Sequence, residues 1–214
     1  MAQAPRVDLR SFVFIDRMQP QFASFVATVA RGYLPVAGQS ALYVEIAPGI
    51  AINRITDVAL KGNDVRPGMQ IVERAFGLLE LHSESQAETR DAGRRILSWL
   101  GLDEAQRRKP KIQSSEVITH IDDYQAMLIN RERHGNMLLG GETLYILEVH
   151  PAAYVTIAAN EAEKASPIKL IHLQPYGAFG RLQLGGTEAH IREAEAAIAK
   201  ALATIEGRPN EGRG

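Results

Sequence analysis

The 214-residue chain contains no cysteine, which excludes disulfides and thiolate metal sites and is compatible with a reducing compartment. Net charge is nearly absent too: 24 basic and 25 acidic residues leave −1, a balance that gives no support to a nucleic-acid groove. The one basic cluster, Arg107, Arg108, Lys109 and Lys111, has no interleaved aromatics and lies between two periodic segments, so it reads as a solvated linker. No apolar run approaches the roughly 20 residues that span a membrane, and Met1 to Val7 lack the apolar core of a secretory leader. Cytoplasmic is therefore the default location. Trp99 and the tyrosines are too scattered for a stacking platform.

Chemistry-bearing motifs are equally scarce. The histidines, His82, His120, His134, His150, His172 and His190, include no pair at helical metal-ligand spacing, so no metal and no cofactor is expected. His120 lies near Asp122 and Asp123, but nothing places a nucleophile beside them, and it reads as a surface histidine at a turn. Gly140-Gly141 and Gly185-Gly186 lack the strand-to-helix fingerprint of a phosphate cradle and read as turns. No catalytic residue can be named, and the chain is expected not to be an enzyme.

What the sequence does have is a repeat. A constant shift of 103 matches Ala59 with Ala162, Lys61 with Lys164, Ala75-Phe76-Gly77 with Ala178-Phe179-Gly180, Leu79 with Leu182 and Leu81 with Leu184. The same shift pairs Ala23 with Ala126, Val26 with Ile129 and Gly32 with Gly135; a one-residue step then pairs Leu42-Tyr43 with Leu144-Tyr145. Two domains are expected, at residues 8–103 and 112–206, joined by a linker at 104–111 and followed by a disordered tail at 207–214.

In copy one, Phe12–Ile15, Phe22–Tyr33 and Leu42–Ile46 read as strands from their β-branched and aromatic content. Ile52, Ile55, Val58 and Ala59 follow helical spacing. Strands at Met69–Val72 and Gly77–Leu81 come next, then a second helix with Ser85 and Glu88 as a capping box and a stop at Gly101. Each copy is thus an α+β unit, with a mostly antiparallel sheet and helices on one face.

Asp57-Val58-Ala59-Leu60-Lys61, Val72-Glu73-Arg74-Ala75-Phe76-Gly77, Leu128-Ile129-Asn130-Arg131 and the run Tyr176–Gly186 resemble the bacterial microcompartment shell domain, in the circularly permuted tandem form found in carboxysomes. The resemblance covers about residues 8 to 206. It implies two permuted, ferredoxin-like domains per chain and a pseudohexameric homotrimer. In that family two trimers stack face to face, other carboxysome shell proteins are partners, and small anionic metabolites such as ribulose bisphosphate and 3-phosphoglycerate pass through a gated pore. By this resemblance Glu73, Arg74 and Ala75 alternate around the pore with Tyr176, Gly177 and Ala178, while Lys61 and Lys164 lie at the shell edge.

Physics supplies a reason for a charged gate and also a plainer alternative. Threefold symmetry turns one Glu-Arg dipeptide into a ring of three acids and three bases, and unit charges about 4 Å apart interact by about 4 kcal/mol at an effective dielectric of 20. Gly77 would lend backbone freedom to such a swing. Without the resemblance, Glu73 and Arg74 are a turn with a surface salt bridge worth about 1 kcal/mol at most. For the lysines, the carbonyl end of a helix already favours a cation. Copy two has Asn160 in place of Asp57, so the acidic partner of Lys164 is expected to be missing. Repeated α+β domains also make ligand-binding regulatory proteins, which explains the repeat equally well.

Overall fold

The computed structural model describes residues 7–211. Copy one runs β1 (Asp8–Ile15), α1 (Pro20–Val29), β2 (Ser40–Ala47), a 3-10 turn (Gly49–Ala51), α2 (Ile52–Leu60), β3 (Arg66–Glu73), β4 (Phe76–Ser83) and α3 (Gln86–Leu100). A 3-10 turn at Glu104–Gln106 leads into copy two: β5 (Lys111–Ile118), α4 (Asp123–Glu132), β6 (Thr143–His150), a 3-10 turn (Ala152–Tyr154), α5 (Val155–Ala165), β7 (Lys169–Gln174), β8 (Gly180–Gly186) and α6 (Glu188–Ala203). The sheets have the orders β1-β2-β4-β3 and β5-β6-β8-β7, and every pairing is antiparallel.

Strand register overturns the one-residue step. Tyr43 faces Glu80 across β2 and β4, and Ile146 faces Gln183 across β6 and β8, so the 103-residue shift runs unbroken through the sheets. The matching Leu-Tyr pairs are one residue out of phase. Because side chains alternate across a sheet, Tyr43 and Tyr145 point to opposite faces of their sheets. Tyr145 packs among residues of α5 and α6, whereas Tyr43 meets Phe22 of α1 at 6.2 Å between ring centroids.

The segment Phe22–Tyr33, expected as a strand, is instead mostly the helix α1. Pro20 opens it at a position where a missing N–H costs nothing, and Phe22, Ala23, Phe25 and Val26 form one buried stripe at helical spacing. Aromatic content pointed one way and period the other, and period won. Helices were expected on one sheet face, but in copy one only α2 and α3 obey: they cover Leu42, Val44, Leu79 and Leu81, while α1 lies on the opposite face. At α3 the Ser85 hydroxyl accepts from the Glu88 N–H at 3.3 Å, and Gly101 ends the helix at φ 66°. Glu88 does not complete the capping box; its carboxylate accepts from the Asp64 N–H at 2.9 Å. Gly185 and Gly186, expected in a turn, close strand β8.

The two copies share one core. Val13, Ile15 and Leu78 from the copy-one sheet, with the α1 stripe, pack in one cluster with Val155, Ala158 and Leu182 of copy two. At its margin Arg10 donates to Glu45 at 2.7 Å, both buried; the other Glu45 oxygen accepts from the Ala153 N–H at 3.0 Å, and Arg10 meets His150 at 2.8 Å. The linker is more than a solvated run: Arg108 pairs with Asp8 at 2.6 Å, and Arg107 donates to the Phe12 carbonyl at 2.7 Å. Residues 207–211 of the tail expected to be disordered are placed instead. Arg208 bridges in parallel to Arg108 and pairs with Asp8, and the Asn210 amide donates to the carbonyls of Lys109 and His150 at 2.9 Å each. These bonds fasten the tail to the seam between the copies; residues 212–214 lie outside the described residues.

Candidate functional site

The candidate pore residues occupy the two hairpin turns that end β3 and β7. In copy one Glu73 and Phe76 are the last ladder pair, which leaves Arg74 and Ala75 as a two-residue loop. Arg74 has φ 52°, the left-handed region, and is one of two non-glycine residues there among the described residues, the other being His120. Two-residue hairpins need positive φ at the first central position and favour glycine there. Copy two turns through a longer loop, between Gln174 and Gly180, and has glycine at the matching position: Gly177, the counterpart of Arg74, has φ 101°. Holding an L-residue in this region costs about 1–3 kcal/mol, and such strain collects at functional sites. The Arg74 side chain is 93% exposed and lies 3.7 Å from the Glu73 carboxylate, a loose pair that exerts little hold.

The base of this turn is clamped. The Gly49 N–H donates to the Ala75 carbonyl at 2.8 Å, and a Cβ on Gly49 would lie 2.6 Å from the Phe76 carbonyl oxygen. Gly77 meets the same close approach from the other side, so its missing side chain admits the neighbouring backbone rather than lending freedom to the turn. The Arg10 guanidinium stacks 3.5 Å from the centre of the Phe76 ring. Only Glu73 and the Arg74 side chain stand clear of these contacts.

A cleft of about 700 Å³ brings the two turns together. Glu73 and Tyr176 both line it, with Arg31, Gln70, His134 and His172 between them, so β3 and β7 face each other across the junction of the copies. His134 and His172 lie 5.6 Å apart and flank Phe25. Burial, then the His134 charge, hold the His172 pKa below its usual value. Tyr176 is half-buried, and its carbonyl accepts from the Gln174 amide at 3.3 Å.

The two lysines are not equivalent. Lys61 bonds Asp57 at 2.8 Å with its side chain 74% exposed. Lys164 is 33% exposed and pairs with Glu161 at 2.7 Å and with Asp16 of copy one at 3.5 Å. Its acidic partner is therefore present, supplied one residue after Asn160 and from the other copy. Burial acts to lower the Lys164 pKa, but the bonds and charges of Glu161 and Asp16 outweigh it and raise the pKa. Asn160 caps α1 instead, accepting from the Gln19 N–H at 2.9 Å, beside Glu163, whose carboxylate accepts from Gln21 and Phe22. His120 is exposed, and Asp122 is engaged in capping α4 by accepting from the Tyr124 N–H at 2.8 Å. Among the described residues no three acidic or histidine side chains gather as a metal site, and no helix is long and apolar enough to cross a membrane.

Sequence reasoning missed the Arg10, Glu45 and His150 cluster. Its signal was present: Arg10 and Glu45 interrupt otherwise apolar strand runs. Burial holds the Glu45 pKa up against the opposing Arg10 charge; burial and then Arg10 push His150 down to about 4.

The architecture is a duplicated, permuted α+β shell domain. The family model described as the CsoS1D N-terminal domain matches residues 9–106. The chain is 53% identical over 206 residues to the carboxysome shell protein CcmP of Synechococcus elongatus, covering 96% of this chain and 97% of that one. It is 45% identical over 205 residues to the carboxysome shell protein CsoS1D of Prochlorococcus marinus, covering 95% and 80%. Among solved structures, the fused permuted hexameric shell protein of the RMM microcompartment aligns with a TM-score of 0.91 at 46% identity, covering 94% and 99%. The double ringed trimeric shell protein of the same microcompartment aligns at 0.92 and 39%, covering 96% and 100%. The chain belongs to the tandem-domain family of bacterial microcompartment shell proteins, which are structural components and not enzymes.

Proposed function

We propose that the chain is a carboxysome shell tile, a homotrimer with six domains around a pore gated by Glu73 and Arg74 and alternately lined by Ala75, Tyr176, Gly177 and Ala178. The carrying observation is the strain at Arg74, an exposed arginine in a left-handed turn position where the repeat itself uses glycine. A clamped base beneath a loosely paired tip suits a side chain with two arrangements, one lining the pore with Arg74 and one folding it back onto Glu73. Three inward arginines favour phosphorylated anions such as ribulose bisphosphate and 3-phosphoglycerate. The ring assembly is supported by the relatives described as hexameric and trimeric, and face-to-face pairing of two trimers by the double ringed one. The carboxysome, rather than another compartment, is favoured by the 53% identity to CcmP. Lys61, more exposed and paired only with Asp57 of its own helix, is the stronger shell-edge contact; Lys164, tied to Asp16 and Glu161, is the weaker.

Negative-stain images of purified protein test the shell role: hexagonal plates or flat sheets support it, and discrete particles that never tile count against it. Crystals of the wild type and of Glu73→Ala/Arg74→Ala test the gate. The variant is expected to keep the trimer and lose one of two pore geometries; a wild-type pore with one geometry in every crystal form and pH sinks the gate.

A further inference from the structure

Two aromatic residues close the candidate pore turns from behind, and one buried cluster touches both. Phe76 ends the copy-one turn as the ladder partner of Glu73, and the Arg10 guanidinium lies 3.5 Å from its ring centre. Phe179 follows Ala178 at the end of the copy-two turn, and the His150 ring meets it edge-on with centroids 6.2 Å apart. Arg10 and His150 are bonded to each other at 2.8 Å, and both are buried, at 3% and 2% exposure. One path of contacts, from Phe76 through Arg10 and His150 to Phe179, therefore crosses from one turn to the other.

Hydrogen bonds fix the state of its central link. Arginine has only donors, so Nε2 of His150 accepts from Arg10. The Asn210 amide nitrogen donates to the carbonyls of Lys109 and His150, which leaves its oxygen to accept from the His150 Nδ1–H at 3.0 Å. His150 is thus held neutral, with its proton on Nδ1. A second proton would set one N–H against another and break the path at its centre. The charges acting on His150 are cationic: Arg10 of β1, Arg108 of the linker and Lys111 of β5. The carboxylates of the seam are engaged elsewhere, Glu45 of β2 by Arg10 and the Ala153 N–H, and Asp8 of β1 by Arg108 and Arg208.

We infer that Arg10 and His150 are positioning residues that couple the two pore turns of one chain, with neutral His150 as the link. This rests on the pore proposed above and adds which of its turns move together. The repeat builds the path once, because Arg10 and His150 correspond to Gln113 and Ala47, which supply neither a stacked cation nor a ring acceptor. The six turns of a trimer are thereby joined as three pairs.

Hydrogen exchange at residues 176–182, the copy-two turn and the start of β8, tests the coupling by mass spectrometry once corrected for the intrinsic effect of pH. At neutral pH, Phe76→Leu in copy one is expected to speed this exchange by about threefold or more, since local opening reports what holds a turn at its base. His150→Gln, whose side-chain oxygen can accept from Arg10 and whose nitrogen can donate to Asn210, is expected to keep that response. His150→Ala is expected to exchange fast from the start and to ignore Phe76→Leu. Acidification to about pH 4 is expected to speed the same amides in the wild type and not in His150→Gln, an arm that needs no change at Phe76. Amides that ignore Phe76→Leu, or that answer acid equally in the wild type and His150→Gln, overturn the coupling. Light scattering judges the pore separately: a trimer without the exchange response keeps the pore and loses the coupling, and a monomer with it keeps the coupling and loses the pore.

Discussion

Copy one and copy two have the same fold and register, yet their matching residues do different work. Copy one places a strained arginine at its turn, a buried ion pair under its sheet and a well-exposed lysine with one acidic partner at its helix end. Copy two places glycine at the turn, a half-exposed Glu148–Arg181 pair and a lysine tied on two sides. Duplication lets one copy keep the relaxed solution while the other departs from it. What differs is which face of each copy the other covers, and the buried charges follow that coverage.

The sharpest break in this comparison is expected from Glu45→Ala. It leaves Arg10 buried without its acid, and a cost of about 3–5 kcal/mol is expected in urea unfolding. Glu148→Ala is expected to cost under about 1 kcal/mol, because its pair with Arg181 faces water.

Acid separates the copies next, because His150 is matched by Ala47 in copy one. The His150 pKa falls from 6.5 to about 4, by burial and then by the charges of Arg10, Arg108 and Lys111, against a raising bond from Asn210. Between those values the unfolded chain binds a proton that the folded chain refuses. This contribution is therefore complete above about pH 6.5 and is lost as pH falls toward 4, by about 2–3 kcal/mol. Unfolding midpoints across that window are expected to slope in the wild type and to flatten in His150→Gln.

Smaller effects are expected at the turns and edges. Arg74→Gly relieves the strained conformation, less the entropy glycine adds to the unfolded chain, for a gain of up to about 1 kcal/mol. Gly177→Arg is expected to lose about as much, read as opposite shifts in Tm; equal shifts of one sign would remove the case for strain at Arg74. Smallest of all, Lys61→Ala is expected to change stability by about 0.3–0.5 kcal/mol and Lys164→Ala by slightly more, since Lys164 has two acidic partners. A larger loss at Lys61 would break the distinction between a singly and a doubly paired lysine.

The repeat, the α+β class, the turn sequence Glu73-Arg74-Ala75 and the helix-ending lysines were all legible in the chain, because each is a local pattern of residue type and spacing. The helix at Phe22–Val29 was hidden by its aromatics, and the register of Leu42-Tyr43 by a chance match one residue away. By itself the sequence determined that there are two copies and which positions differ between them. Only the tertiary structure decided which face of each sheet is covered, that Asn160 and Glu163 cap a helix of the other copy, and that Arg74 occupies a glycine's conformation. The physical reason is that spacing records one chain's local period, whereas coverage depends on contacts between residues about 100 or more positions apart, and no local pattern encodes them.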